Sequence, residues 1–110
     1  SFVTYSNRAK REVLNVPAEL LTAHGAVSEE VVKSMAENLL AQTTAHITIA
    51  VSGIAGPGGG SADKPVGTVH MATATADGTV HEMQSFGDIG RTQVRLQTLE
   101  TAIRMLSDRL

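Results

Sequence analysis

The sequence predicts an α/β protein in which helices cover both faces of one mixed β-sheet, forming a three-layer α/β/α sandwich. Three observations point to this class: helical patterns dominate residues 6–45, strand patterns follow between 46 and 86, and an amphipathic pattern closes the chain. The chain has 110 residues, 42% of them hydrophobic, which suits one domain with one aliphatic core. We therefore treat residues 1–110 as one domain.

The first elements are a short strand and two short helices. Residues 1–5 alternate large and small side chains, which favours a strand. Ser6 or Asn7 can cap a helix that ends before Pro17, because their side-chain oxygens accept hydrogen bonds from the first helical N–H groups. A second helix is predicted over 17–23, with the proline in its first turn.

A longer helix is predicted to begin after Ser28. Glu29 and Glu30 follow this candidate N-cap directly, where the helix dipole favours negative charge. The apolar residues downstream recur at helical spacing and would form the face that packs on the sheet. They are Val31, Val32, Met35, Leu39 and Leu40.

Three strands and a last helix complete the prediction. Residues 46–52 and 66–75 are rich in residues that favour strands, and a third strand is expected over 79–86. Asp77-Gly78 is a two-residue hairpin signal, so the second and third strands should pair antiparallel. A helix is expected over about 91–109, with apolar positions at Val94, Leu99, Ala102, Ile103, Leu106 and Leu110.

Composition argues against several functions. The net charge is -2 and only three residues are aromatic, which disfavours nucleic acid as a ligand. No apolar stretch is long enough to cross a membrane, and the absence of cysteine excludes thiolate metal sites and fits a cytoplasmic location. We expect no metal, because the four histidines lack ligand spacing: His24, His46, His70 and His81.

A glycine-rich segment, 53–60, follows the strand at 46–52. Backbone without side chains can approach a ligand closely and direct N–H groups at it. The segment is neither a P-loop nor a dinucleotide fingerprint, since Gly58-Gly59-Gly60 stands where a P-loop needs Gly-Lys-Ser/Thr. From composition alone, a ligand-binding loop and a flexible connection are equally supported.

Two pairs of residues are further candidates for chemistry. Tyr5 and Lys10 flank a strand-to-helix corner, where a desolvated amine beside a phenol can serve as a base. Arg91 and Arg95 lie one turn apart and could grip a phosphate or carboxylate. The alternatives are a core tyrosine beside a solvated lysine, and two solvated arginines on an exposed helix face.

Five sequence blocks stand out along the chain: YSNRAK at 5–10, HGAVS at 24–28, SGIAGPGGGS at 52–61, KPVGTV at 64–69 and RTQVR at 91–95. Together they resemble the CinA C-terminal domain family. The resemblance implies an amidohydrolase of bacterial pyridine-nucleotide recycling that converts nicotinamide mononucleotide and water to nicotinic acid mononucleotide and ammonia. It also implies a serine nucleophile and no cofactor or metal.

The resemblance also implies roles for five residues. Tyr5 and Lys10 match the tyrosine and lysine that activate the family's serine. Ser52 and Gly53 match the pair that opens the glycine-rich segment and binds substrate or stabilises an oxyanion. Arg91 matches an arginine whose natural partner is the substrate phosphate. These roles require Tyr5, Lys10 and the glycine-rich segment to line the same cleft.

The family's serine belongs to an upstream Ala-Glu-Ser-Cys-Thr-Gly-Gly motif that is not found in these 110 residues. We therefore expect the sheet to be incomplete on its N-terminal side and the isolated chain to be inactive, because Lys10 has no serine to deprotonate. We also expect a homo-oligomer. The alternative is a non-catalytic binding or assembly module of a competence-associated CinA-like protein.

Overall fold

The computed structural model describes residues 1–110 and contains a sheet with helices on both faces. The sheet has three strands in the order β1-β2-β3. The elements are α1 (Asn7–Leu14), α2 (Ala18–His24), α3 (Glu29–Gln42), β1 (Thr48–Gly53), β2 (Thr68–Thr75), β3 (Gly78–Ser85) and α4 (Arg91–Ser107). The predicted α/β class, with helices in front of and behind the sheet, is confirmed.

The central strand β2 belongs to two separate apolar cores, because successive side chains of a strand point to opposite faces. On one face, Ala72 and Ala74 pack with residues of α1, α2 and α3. On the other face, Val69 and Met71 pack with Val94 and Met105 of α4, among others. β2 is accordingly buried along most of its length, and it positions both helical layers.

The three strands all pair antiparallel, whereas we expected a mixed sheet. The reason lies in the connections. Residues 54–67 return the chain to the end of the sheet at which β1 finishes, so β2 runs back along β1. Parallel pairing needs a crossover to the opposite end, and neither connection among these strands makes one.

Two local expectations were wrong. Residues 1–5 do not form a strand, since no neighbouring strand pairs with their backbone. The hairpin turn is Ala76-Asp77 rather than Asp77-Gly78, because Gly78 already pairs with Thr75 at the start of β3. The Asp77 N–H is satisfied within the turn by the Thr75 hydroxyl.

The predicted helix starts are confirmed at two serines. The Ser6 side chain accepts a hydrogen bond from the Ala9 N–H, and the Ser28 side chain accepts one from the Val31 N–H. α2 begins directly after Pro17, one residue later than expected. No helix combines the length and apolar character needed to cross a bilayer.

Candidate active site

A cleft of about 450 Å³ runs along the outer edge of β1. The N-terminal segment and α1 form one wall, and α3 contributes apolar side chains beneath it. Four predicted site residues line it: Tyr5, Lys10, Ser52 and Gly53. The structure therefore brings together the phenol, the amine and the start of the glycine-rich segment, as the predicted roles require.

Lys10 is the buried charge-bearing residue of this cleft. It lies on α1, is only 7% exposed, and donates a hydrogen bond from Nζ to the Thr4 carbonyl at 2.7 Å. Burial lowers the pKa of its amine below the usual lysine value of 10.5, because desolvation disfavours the ammonium form. The partner is a neutral carbonyl rather than a carboxylate, so no opposite charge offsets this effect. The amine is suited to accept a proton from a group in the cleft.

Tyr5 lies at the rim of the cleft. Its side chain is 88% exposed, so it is not the core tyrosine of the alternative interpretation. The residue precedes α1 by two positions, and the Ser6 cap fixes where the helix begins. Tyr5 lies at the mouth of the cleft, in the segment that leads into the helix carrying Lys10.

Ser52 and Gly53 end β1 at the cleft. The Ser52 hydroxyl donates to the Ala26 carbonyl at 2.8 Å, which joins β1 to the loop before α3. A Cβ at Gly53 would lie 2.8 Å from a Val69 methyl group and 3.0 Å from the Thr68 carbonyl oxygen. Close pairing with β2 therefore requires glycine here, independently of any ligand.

Arg91 does not line the cleft. It stands at the start of α4 and donates from Nη1 to the Gly56 carbonyl at 3.1 Å. In this structure it holds the glycine-rich segment rather than facing Lys10. Arg95, one turn on, lines a different groove between α4 and the sheet.

Lys64 was not predicted as a site residue, yet it joins two segments that flank the sheet end. Its Nζ donates to the carbonyl of His24 at 2.5 Å, and a Cβ at Gly25 would lie 3.0 Å from the same nitrogen. Together with the bond from Ser52 to Ala26, this contact fixes the loop before α3. The two residues are 40 positions apart, so no local pattern could have revealed the contact.

A pair of histidines lies on the sheet face that carries Ser52. Nδ1 of His70 is 2.9 Å from Nε2 of His81, and the rings are stacked. His70 pairs directly with Ser52 across the strands. Burial, and secondarily the neighbouring His81, lower the pKa of His70. The strand register brings the rings together, and no group of three or more His, Cys, Asp or Glu is arranged to hold a metal ion.

These features define an α/β protein with a partly buried amine and a glycine-rich segment at one cleft, and comparison with known proteins gives its family. The family model for the CinA C-terminal domain matches residues 1–110. The chain belongs to that family, and the resemblance seen in the sequence is confirmed.

Three proteins illustrate the similarity. The nicotinamide-nucleotide amidohydrolase PncC of Enterobacter agglomerans is 51% identical over 109 residues, which cover 94% of this chain and 65% of that protein. A CinA-like protein of Parasynechococcus marenigrum is 49% identical over 98% of this chain. The crystal structure of competence/damage inducible protein CihA from Agrobacterium tumefaciens superposes with a TM-score of 0.95 at 52% identity, covering 97% of this chain and 66% of that one.

The chain is shorter than these relatives. It spans 26% of the CinA-like protein's length and 65% of the amidohydrolase's length. Family membership and fold are therefore stated for residues 1–110. These residues correspond to one part of each longer relative.

Proposed function

We propose that this domain acts in a nicotinamide mononucleotide deamidase, which hydrolyses the carboxamide to a carboxylate and ammonia. The observation that carries the proposal is the placement of a desolvated Lys10 in the same cleft as Tyr5, Ser52 and Gly53. The name of the amidohydrolase relative, 51% identical to this chain, supports the substrate. The serine nucleophile would come from a segment outside residues 1–110.

In this mechanism the neutral Lys10 amine takes the serine proton as the serine oxygen attacks the carboxamide carbon. The resulting ammonium returns the proton to the departing nitrogen, so that ammonia leaves and an acyl-serine remains. Water then adds to the acyl carbon while Lys10 accepts its proton. The bond to the serine oxygen breaks, Lys10 returns the proton to that oxygen, and the acid product ionises to the carboxylate on release. Lysine can serve in this way because burial lowers the pKa of its amine, which favours the neutral form.

The remaining cleft residues would bind and orient the substrate. Tyr5, exposed at the rim, can donate a hydrogen bond or relay a proton to solvent. The Ser52 oxygen retains acceptor capacity while its proton is used by Ala26. Arg91 uses one N–H of Nη1 on the Gly56 carbonyl, which holds the glycine-rich segment. Its other guanidinium donors could bind a substrate phosphate.

The test is deamidation of nicotinamide mononucleotide, followed by ammonia release. The isolated 110-residue chain should show no turnover, and a form extended to include the serine-bearing segment should be active. In the extended form, Lys10→Ala should lower turnover by about 10²–10⁴-fold, the usual contribution of a general base. Calorimetry with nicotinic acid mononucleotide should show product binding retained.

Arg11→Ala is the matched control, because Arg11 follows Lys10 on α1 and is exposed. It should leave turnover unchanged. Near-normal turnover in the Lys10 variant, or turnover by the unextended chain, would contradict the assigned base.

An assembly module remains the second candidate. It is favoured by three apolar side chains on one stripe of α4 that are half exposed: Leu96, Leu99 and Ile103. A homo-oligomer that covers this stripe would explain them. Absence of heat on titrating the extended form with nicotinic acid mononucleotide, together with a stable oligomer, would favour this function over catalysis.

A further inference from the structure

A cluster of titratable side chains lies where the start of α3 meets the sheet, outside the cleft that contains Lys10. Its centre is a contact between two strands, because Nδ1 of His70 on β2 is 2.9 Å from Nε2 of His81 on β3. Nδ1 of His81 is in turn 3.7 Å from Oε1 of Glu29, the first residue of α3. Neither histidine lines the cleft. This histidine pair therefore connects both strands of the hairpin to one end of α3.

The contact within the histidine pair depends on how many protons the two rings carry. A hydrogen bond between two imidazole nitrogens needs one nitrogen with a proton and one without. A neutral pair meets this need, and so does a pair with one additional proton. When both rings are protonated, every ring nitrogen carries a hydrogen, so two N–H groups face each other across 2.9 Å. The second proton therefore removes the hydrogen bond and adds repulsion between two positive charges.

The surroundings of the pair favour the first proton and oppose the second. The His81 side chain is 16% exposed and lies beside Glu29, so a single positive charge has a carboxylate near it. Burial, followed by the charges of His81 and Lys64, lowers the pKa of His70. The carboxylates of Glu30 and Glu29 offset only part of this effect.

The other charged groups on the elements around the pair have partners of their own. They are Glu82 with Arg104, Lys33 with Glu29, His24 with Glu30, and Glu37 with Thr79. Both carboxylates at the start of α3 are thus shared with a further basic side chain. A second ring charge is accordingly left without a carboxylate of its own.

The pair lies next to the contacts that hold the loop before α3. Lys64 donates to the His24 carbonyl, and Ser52 donates to the Ala26 carbonyl. Two ring charges would repel the Lys64 ammonium and the N-terminal end of α3, where the helix dipole is positive. Double protonation therefore acts against the attachment of residues 24–30 to the sheet.

We propose that the histidine pair is a pH-sensitive contact that fixes residues 24–30 to the sheet at neutral pH and releases them when both rings are protonated. The rings then separate, and the start of α3 and the loop before it move more freely against the sheet. Because Ser52 lines the cleft and is bonded to this loop, release also loosens one end of the cleft. The proposal rests on these contacts and does not depend on amide hydrolysis.

Proton NMR of the histidine rings tests the coupling in the 110-residue chain. The ring signals of His70 and His81 should each follow two steps with pH, because the two sites share one hydrogen bond. The second step should fall below the usual histidine pKa of 6.5. His46, which is exposed and lies outside the pair, should follow a single step. Independent single steps at His70 and His81 would overturn the proposal.

Amide hydrogen exchange tests the release. The N–H groups of Val31 and Val32 are bonded to the hydroxyl and the carbonyl of Ser28, so they report on the first turn of α3. Their protection factors should fall by about threefold to tenfold, the equivalent of one hydrogen bond. The fall should occur between about pH 7 and about pH 5, where histidine titrates and carboxylates stay largely ionised. The Val94 N–H, bonded to the Gly90 carbonyl at the start of α4, should keep its protection.

His70→Gln and His46→Gln form a matched pair of variants, since glutamine keeps a donor and an acceptor but does not titrate. His70→Gln should abolish the pH-dependent loss of protection at Val31 and Val32, whereas His46→Gln should leave it unchanged. Because the pKa of His70 is lowered in the folded chain, the stability that depends on this site is present above pH 6.5 and is lost as the pH falls. The Tm of His70→Gln minus that of the wild type should therefore increase below pH 6.5.

Two exchange results would also overturn the proposal. One is constant protection of Val31 and Val32 in the wild type across this pH range. The other is an equal loss of protection in His70→Gln and the wild type, which would assign the loss to other groups such as Glu29 and Glu30. The ring titration needs no variant, so it decides the proposal even if His70→Gln does not fold. Each readout is protonation, exchange or stability, so the deamidase proposal can fail without affecting this test.

Discussion

At the scale of single residues, Lys10 links burial to protonation. Its amine has a lowered pKa in the folded protein because of desolvation, whereas in the unfolded chain the amine keeps its usual pKa of 10.5. Between these two values the unfolded state binds more protons, so the contribution of Lys10 to stability rises with pH across that window. Below the folded pKa the full cost of burying the ammonium is present.

Lys10→Met should therefore change the pH dependence of stability. The difference in Tm, variant minus wild type, should be most positive near neutral pH and should shrink as pH approaches 10.5. Thermal unfolding followed by circular dichroism from neutral pH upward measures it. Lys33→Met is the control, because Lys33 is on the surface of α3 and 3.6 Å from Glu29. Parallel Tm curves for the Lys10 variant and wild type would show that the amine is not desolvated.

Residue roles that depend on contacts between near neighbours in the sequence were predictable. Ser6 and Ser28 each cap a helix through an N–H three residues on, and such spacing is visible in the chain itself. The burial of Lys10 was not visible, since it depends on α3 and β1 closing the cleft. The contact between Arg91 and Gly56 was missed for the same reason, because the partners are 35 residues apart.

At the scale of elements, the start of β2 is constrained by a close approach of two backbones. Gly67 has a φ of +92°, and a Cβ there would collide with the backbone of Gly87. The Gly67 N–H and carbonyl are both used, donating to Ile54 and accepting from Phe86. A side chain would thus displace the segment before α4 from the sheet.

Gly67→Ala should lower the free energy of unfolding by about 2–5 kcal/mol, combining a left-handed backbone penalty with overpacking. Urea denaturation gives the value. Gly58→Ala is the control, since a Cβ at Gly58 would meet nothing within 4 Å, and it should be neutral or stabilising by up to about 1 kcal/mol. Equal effects of the two substitutions would argue against the close approach.

Strand pairing and strand register are two features of the elements that the sequence pattern did not predict. Residues 1–5 have strand-like alternation, but a strand also needs a ladder partner, and none pairs with them. The hairpin signal at Asp77-Gly78 located the turn within one residue. The register is set by the pairing of Thr75 with Gly78, and sequence alone does not distinguish that register from its neighbour.

At the scale of the whole molecule, the predicted layering follows from the alternation along β2. Its two faces hold different cores, so helices must cover both. The antiparallel pairing of β2 with β3 was predicted from the hairpin signal and is confirmed. The direction of β1 could not be predicted, because a strand buried on both faces, as β2 is, fits parallel and antiparallel sheets alike. The course of residues 54–67 decided it, and that course depends on contacts such as Lys64 to His24.

Arg109, which follows α4, links this helix to the sheet. Its contacts lie at the end of the sheet opposite the glycine-rich segment. Its guanidinium donates to the carbonyl and hydroxyl of Thr73, the hydroxyl of Thr75 and the carbonyl of Gly78. Thr73 is fully buried beneath these contacts, so removing the arginine takes away the hydrogen-bond partner of its hydroxyl. One side chain thus joins the C-terminal layer to both strands of the hairpin.

Arg109→Met should destabilise the protein by about 1–3 kcal/mol, the cost of leaving buried polar groups unpaired. It should also speed amide hydrogen exchange at the turn between β2 and β3, because that end of the sheet loses its link to α4. Arg95→Met, on an exposed position of the same helix, is the control and should leave exchange at the turn unchanged. If both variants exchange alike, the two layers are held together by the apolar core of Met71, Val94 and Met105 alone, and Arg109 contributes nothing to the docking of α4.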